Sequence, residues 1–191
     1  MVYVRAVVVS VVVFVSQWAV GDVAPFAEPE KLTPGEDFLE ILAKVAPTVY
    51  MSGQPTAEGL ARMKALGVTR IINLRTQAEM DNRKVVTFDE AAVAADLGLD
   101  YVHIPSGGPD SPYARRSVEA FATAIDGAGG NVLLHCTVAY RATHLWTAYL
   151  IDHLGMPAPQ AVAIARQLNL GLSPLEGFLG RDLLIGVEAD E

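Results

Sequence analysis

Cysteine is almost missing from this chain, with Cys136 the only one in 191 residues. A lone thiol cannot pair within its own chain, so an intramolecular disulfide framework and a thiolate-rich metal site are both excluded. Histidine is scarce too, four in all, and His103, His135, His144 and His153 show no ligand spacing. The sequence therefore predicts no metal and no cofactor. Positive charge is in deficit, with 14 Lys and Arg against 22 Asp and Glu and a formal net charge of −8. A surface of that sign repels nucleic acid and anionic headgroups, and any anionic substrate then needs a local positive site. Beyond the first residues there is no run of the ~20 apolar residues that a membrane span requires. Internal repeats are absent as well.

What is present begins with a leader. "MVYVRAVVVSVVVFVSQWAVGDVAPFAEPEKLTPGE" has one Arg, an apolar run from Ala6 to Val15, and small residues at Ala19 and Gly21. That is the pattern of a secretory signal peptide over residues 1–21, cleaved after Gly21. The expected product is periplasmic or secreted, with no stable membrane insertion after cleavage; an uncleaved anchor is the alternative. Residues 22–36, acidic and rich in proline, read as a linker or an arm lying on the domain. Residues 37–191 suffice for one α/β domain with a single core.

Within that domain short β-branched runs alternate with helical patterns. "TVYMSG" at 48–53, "TRIINLR" at 69–75, "DYVHIP" at 100–105 and "NVLLHC" at 131–136 read as strands. Strands alternating with helices predict a mostly parallel sheet of four to five strands, with helices on both faces. Thr56 opens a helix carrying Leu60, Met63 and Leu66, which Gly67 ends. Thr87 with Glu90 has the capping-box spacing for a helix ending near Gly98. Ser111 and Pro112 read as the cap and first turn of a helix with Val118, Phe121, Ala122 and Ile125 on one face. Past Cys136 the chain reads as helical throughout: Ala142 to Leu154, Gln160 to Leu168, and a last helix opened by Ser173, Pro174 and Glu176.

Cys136 falls where a strand hands over to a helix, at the carboxyl edge at which such sheets bind ligands. Unpaired N–H groups and the helix dipole make that turn an anion site before any side chain is counted. A thiolate is stabilised by the same groups, and Arg141 can offer a planar fork to two oxygens of a phosphate or sulfate-like group. The competing reading is an inert buried thiol, since free cysteine is among the most buried residues.

"VYMSGQPTAEGLARMKALGVTRIINLR", "AADLGLDYVHIP" and "NVLLHCTVAYRATHLWTAYLI", in this order, resemble the beta-lactamase-hydrolase-like phosphatase family, a branch of the protein tyrosine phosphatase superfamily. The likeness runs from about Thr48 to Leu172. It implies the three-layer phosphatase-like fold, a cysteinyl-phosphate mechanism without metal, and a phosphorylated protein or small phosphoester as substrate. It carries over Cys136 as nucleophile, Arg141 as phosphate ligand and His135 as their neighbour, with Thr137, Val138, Ala139 and Tyr140 completing the loop. Two features depart from the wider superfamily. Four residues, not five, separate Cys136 from Arg141, a spacing shared with rhodanese-type sulfurtransferases and with the nearest family. Ala139 stands where such loops have Gly; if this position needs a positive φ, Ala costs roughly 1 kcal/mol. The expectation is that activity is weakened or altered and that Ala139→Gly raises anion affinity.

Asp110, in the loop after the third of these strands, is the candidate general acid, although Asp is also ordinary turn chemistry. Arg75, ending the second, adds charge at the site edge or is an exposed loop arginine. Thr143 could assist hydrolysis of a phosphoenzyme, but helix packing is favoured. The alternatives to a phosphatase are a sulfurtransferase carrying a Cys136 persulfide and a degenerate anion-binding module.

Overall fold

A computed structural model describes residues 28–171 and 174–183. The leader over residues 1–21 lies outside the described residues, as does Ser173.

Six strands form one sheet: β1 (Glu30–Leu32), β2 (Leu42–Ala46), β3 (Val49–Ser52), β4 (Val68–Asn73), β5 (Asp100–His103) and β6 (Asn131–His135), in the order β1-β2-β3-β6-β4-β5. β3, β6, β4 and β5 run parallel, and β1 and β2 join antiparallel at the β3 side. The parallel strands match the four runs expected from sequence. β1 and β2 were not expected, because three and five residues carrying Glu30, Lys31 and Lys44 make no apolar run. They raise the strand count from the expected four or five to six, and they show that the end of the proline-containing stretch at 22–36 is paired into the sheet.

Adjacent residues on a strand face opposite ways, and this divides the core in two. Ile71 and Leu133 pack with Leu60 and Met63 of α1 (Ala57–Ala65) and Ala94 of α3 (Glu90–Asp96). Ile72 and Leu134 turn to the other face and meet α4 (Arg115–Asp126), α5 (Tyr140–Asp152), α6 (Ala158–Ala165) and α7 (Leu175–Leu179), through Phe121, Trp146, Ala161 and Phe178. The result is the three-layer arrangement. Each fully buried Leu or Ile contributes about 1.5–3 kcal/mol of transfer free energy.

Several local expectations change. Thr56 does cap α1, accepting from the Gly59 N–H, and Gly67 follows its end at φ +81°; Leu66, however, is exposed. The Thr87–Glu90 box does not form. Asp89 caps α3 through the Ala92 N–H, and Glu90 turns into the interior. The capping box belongs instead to Thr76 and Glu79, on the short α2 (Gln77–Asp81). Ser111 is no helix cap, because it bridges to Gly108 in a turn, and α4 begins at Arg115 with no side-chain cap. Of the stripe expected on α6, Ala161, Ile164 and Ala165 are buried.

Register brings four strand ends into one row. Ser52 lies beside His135, His135 beside Asn73, and Asn73 beside His103. The turns that follow them therefore emerge together along one edge.

Candidate active site

Two backbone contacts and one side-chain hydrogen bond set the loop from Cys136 to Arg141. The Gln54 N–H donates to the Thr137 carbonyl (2.8 Å), Gly53 bridges to Val138, and the Asn169 amide donates to the Val138 carbonyl (2.7 Å). Gly53 is required there: a Cβ would stand 1.8 Å from the Leu39 carbonyl oxygen and 2.8 Å from that of Thr137. This is the physical content of the glycine in "SGQP". The loop closes at Ala139, which adopts φ +60° and is the N-cap of α5 without any side-chain hydrogen bond. The first-turn N–H groups of a helix have no intrahelical acceptor, so an anion would serve as the cap that no side chain provides.

Arg141, in that first turn, is held as a fork. Its Nη1 donates to Glu79 Oε2 and its Nη2 to Glu79 Oε1, both at 2.8 Å. Nη1 also donates to the Ser106 carbonyl (2.9 Å), and Nη2 to the Thr137 hydroxyl (3.0 Å). Burial alone would push the Glu79 carboxyl up; the hydrogen bonds from Arg141 and Thr76 overcome it and bring it down to about 2. Burial likewise opposes the Arg141 charge, but Glu79 and the nearby Cys136 outweigh it and hold its pKa above the ordinary value. The guanidinium is thus fixed, charged and planar beside the only cysteine.

Cys136 is 1 % exposed. A loop-floor nucleophile and an inert thiol would both be buried, so burial does not separate the two. This sulfur lies within electrostatic reach of Arg141, Arg75 and Tyr113. Arg75 is not the exposed loop arginine that one reading allowed. It is 3 % exposed, donates through Nη1 to Gln54 Oε1 (2.8 Å), and sets Nε 3.5 Å from Glu79 Oε1. Desolvation lowers its pKa.

Beneath the loop lies a buried polar cluster. His135 Nε2 lies 2.9 Å from Glu90 Oε1, and both side chains are fully enclosed. Gln54 and Asn73 donate to the same carboxylate. Burial pushes Glu90 up, but His135, the Gln54 amide and the Tyr101 hydroxyl prevail and its pKa is lowered.

The sequence candidates divide accordingly. Cys136, Arg141, Thr137, Val138 and Ala139 share one loop, with His135 and Arg75 against it. Tyr140 opens α5 with its ring on His144. Thr143 points away, donating to the Ala139 carbonyl (2.9 Å) and touching Met51. Asp110 is exposed on the turn between Gly108 and Ser111; that turn follows Ser106, whose carbonyl holds Arg141. His103 meets the Arg75 carbonyl, His144 those of Tyr140 and Gly171, and His153 stacks on Tyr149. Among the described residues no group of three His, Cys, Asp or Glu is placed to hold a metal. Glu79, Glu90, Gln54 and Asn169 are neighbours of the site whose place there sequence reasoning missed. Only Glu79 had a local signal, the Thr-x-x-Glu spacing directly after "INLR".

A four-stranded parallel core, covered on both faces, with a strand–Cys–loop–Arg–helix turn at its carboxyl edge, is the architecture of the phosphatase-like α/β class. The comparisons agree. Residues 41–150 match the family of the beta-lactamase hydrolase-like protein, phosphatase-like domain, and the chain belongs to that family. A DUF442 protein of Shewanella putrefaciens CN-32, provisionally assigned as a phosphatase, is 30 % identical, with TM-score 0.58 over 74 % of this chain and 90 % of that one. A human tyrosine phosphatase-like serine/threonine/tyrosine-interacting protein shares the fold at 19 % identity, with TM-score 0.57 over 73 % of this chain and 91 % of its own. The beta-lactamase hydrolase-like protein of Xylella fastidiosa (strain Temecula1 / ATCC 700964) is 34 % identical over 96 residues, half of this chain (50 %) but only 22 % of that protein's length.

Proposed function

We propose that the protein is an exported phosphatase that uses Cys136 as nucleophile and hydrolyses phosphate monoesters through a cysteinyl-phosphate intermediate. The observation that carries the proposal is the fixed Arg141 fork beside Cys136, at a helix N-terminus that no side chain caps. The Cys136 thiolate attacks phosphorus in line, forming the S–P bond as the ester P–O bond breaks. The loop N–H groups and Arg141, through its Nε–H or an Nη2–H released by the Thr137 hydroxyl, hold the equatorial oxygens, over which the transition-state charge is spread. The leaving alkoxide or phenoxide takes a proton from Asp110. Water then attacks the phosphoenzyme, releasing inorganic phosphate and restoring the thiolate.

The four-residue spacing favours a second reading, a sulfurtransferase carrying a Cys136 persulfide. Purified protein assayed with an aryl phosphate, and with thiosulfate plus cyanide, separates the two. The phosphatase hydrolyses the first, makes no thiocyanate from the second, and loses turnover in Cys136→Ser with its fold intact. The reverse pattern makes it a sulfurtransferase, and silence in both assays leaves an anion-binding module. Export is tested by the N-terminus of protein recovered from periplasm or medium, with Asp22 expected as the first residue.

A further inference from the structure

The loop does not open onto a flat surface. A groove of about 730 Å³ runs beside it, walled by residues 35, 36, 38–40, 54–58 and 85–88, with Arg75 and Gln54 at the end nearest the loop. Gln54 ties that end directly to the loop through its N–H on the Thr137 carbonyl. Its walls carry two kinds of exposed group. Leu39 and Val85 are large apolar side chains 48 % and 56 % exposed. Among the described residues the exposed charged side chains in its lining are all carboxylates, those of Glu36, Glu40 and Glu58. The one cation of the lining, Arg75, is turned inward onto Gln54 and Glu79.

A phosphate ester approaching this site meets adverse charge twice, once from the net −8 of the chain and once from the groove. Attraction over distance comes from complementary charge on the part of the substrate that is not the phosphate. We infer that the groove receives a peptide segment beside the phosphorylated residue, and that this segment carries Lys or Arg together with an aliphatic side chain. The inference rests on the phosphatase reading and names its substrate class. The basic groups face Glu36, Glu40 and Glu58, the aliphatic group covers Leu39 and Val85, and the phosphate reaches Cys136 past Arg75. A small phosphoester engages the loop alone. An anionic lipid surface is repelled by the same carboxylates.

The test compares phosphopeptides of one length, flanked by Lys and Leu, by Glu and Leu, or by Ser alone, alongside an aryl phosphate. At low ionic strength kcat/KM for the Lys–Leu peptide should exceed that for the Glu–Leu peptide at least 10-fold, and salt should shrink the ratio. In the Glu36→Lys/Glu58→Lys double variant, made at exposed positions, the ratio should fall several-fold while kcat/KM for aryl phosphate, relieved of the same adverse charge, does not fall. Equal rates on all three peptides, a preference for the acidic one, or a ratio indifferent to the double variant overturns the inference while leaving the phosphatase reading intact. If aryl phosphate is not turned over, the phosphatase reading fails by itself. Fluorescence anisotropy of the three peptides on Cys136→Ser protein then still reads the groove: tighter binding of the Lys–Leu peptide, lost in the charge-reversed variant, supports it, and uniform binding refutes it.

Discussion

Glu79 has two tasks that compete for one carboxylate. It completes the capping box of α2, accepting from the Thr76 N–H at 2.8 Å, and it grips both terminal nitrogens of Arg141. Held on one side by its own helix, it cannot follow the arginine, so the arginine must follow it. A displaced positioning group can cost on the order of 10²-fold in rate. Glu79→Ala should therefore lower kcat/KM for an aryl phosphate by about 10²-fold, even though it removes a negative charge that repels phosphate. Steady-state kinetics decide the sign, and a rise in activity would mean that repulsion outweighs positioning. Ala139 is a second residue where magnitudes decide. Its αL conformation costs about 1–2 kcal/mol. Changing it to Gly removes that strain but frees the unfolded chain by roughly 0.4–1 kcal/mol and forfeits a buried methyl of about 0.8 kcal/mol. These terms nearly cancel. The backbone on either side is held by Gly53, Gln54 and Asn169, so the left-handed conformation at Ala139 is set by the fold and the strain does not enter the binding equilibrium. Ala139→Gly should accordingly change vanadate affinity less than about twofold, in contrast to the gain expected from the sequence. Isothermal titration checks this, and a tenfold gain would mean that the loop rearranges on binding.

Among the elements, β3 and its following turn govern the loop more than the loop's own residues do. Gly53 and Gln54 touch Thr137 and Val138 through backbone, where no rotamer change can relieve a clash. Gly53→Ala should displace either Leu39 or Thr137, and overpacking of this sort destabilises by about 1–3 kcal/mol. Thermal denaturation should show a lowered midpoint and the kinetics a disproportionate loss of kcat, because the strained contact lies on the loop that carries the proposed nucleophile. Asn169, from the connection after α6, gives a milder case. Asn169→Ala removes one side-chain hydrogen bond to the Val138 carbonyl, worth about 0.5–1.5 kcal/mol.

For the whole molecule, acid should be the weak side. The Glu79 carboxyl is held at about 2 against an ordinary 4.5, and Glu90 is also lowered, by His135, the Gln54 amide and the Tyr101 hydroxyl acting against burial. A carboxylate whose folded pKa is depressed contributes stability that is fully present above its unfolded pKa and is lost as pH falls through the folded one. Thermal midpoints should therefore hold steady from neutrality to about pH 5 and drop between roughly pH 4.5 and 2, with Glu79→Gln flattening part of the decline. A midpoint unchanged to pH 3 in the parent protein would show that the Arg141 clamp does not contribute to stability.

The sequence by itself determined the parallel core, the place of Cys136 and Arg141 on one turn, and most of the helices, because periodicity, caps and a strand-to-helix junction are local properties. It misplaced the capping box and overlooked β1 and β2, which form only against a neighbouring strand. Glu90 illustrates the limit. Read along the chain it is a helix-start acid, and only the packing of α3 against the sheet carries it to His135, 45 residues away, to become a buried partner. The same holds for Glu79 on Arg141, 62 residues apart, and for the acidic groove, assembled from segments distant in sequence. Tertiary structure decided these because charge and hydrogen-bond partners act through distances in space, which no spacing along the chain encodes.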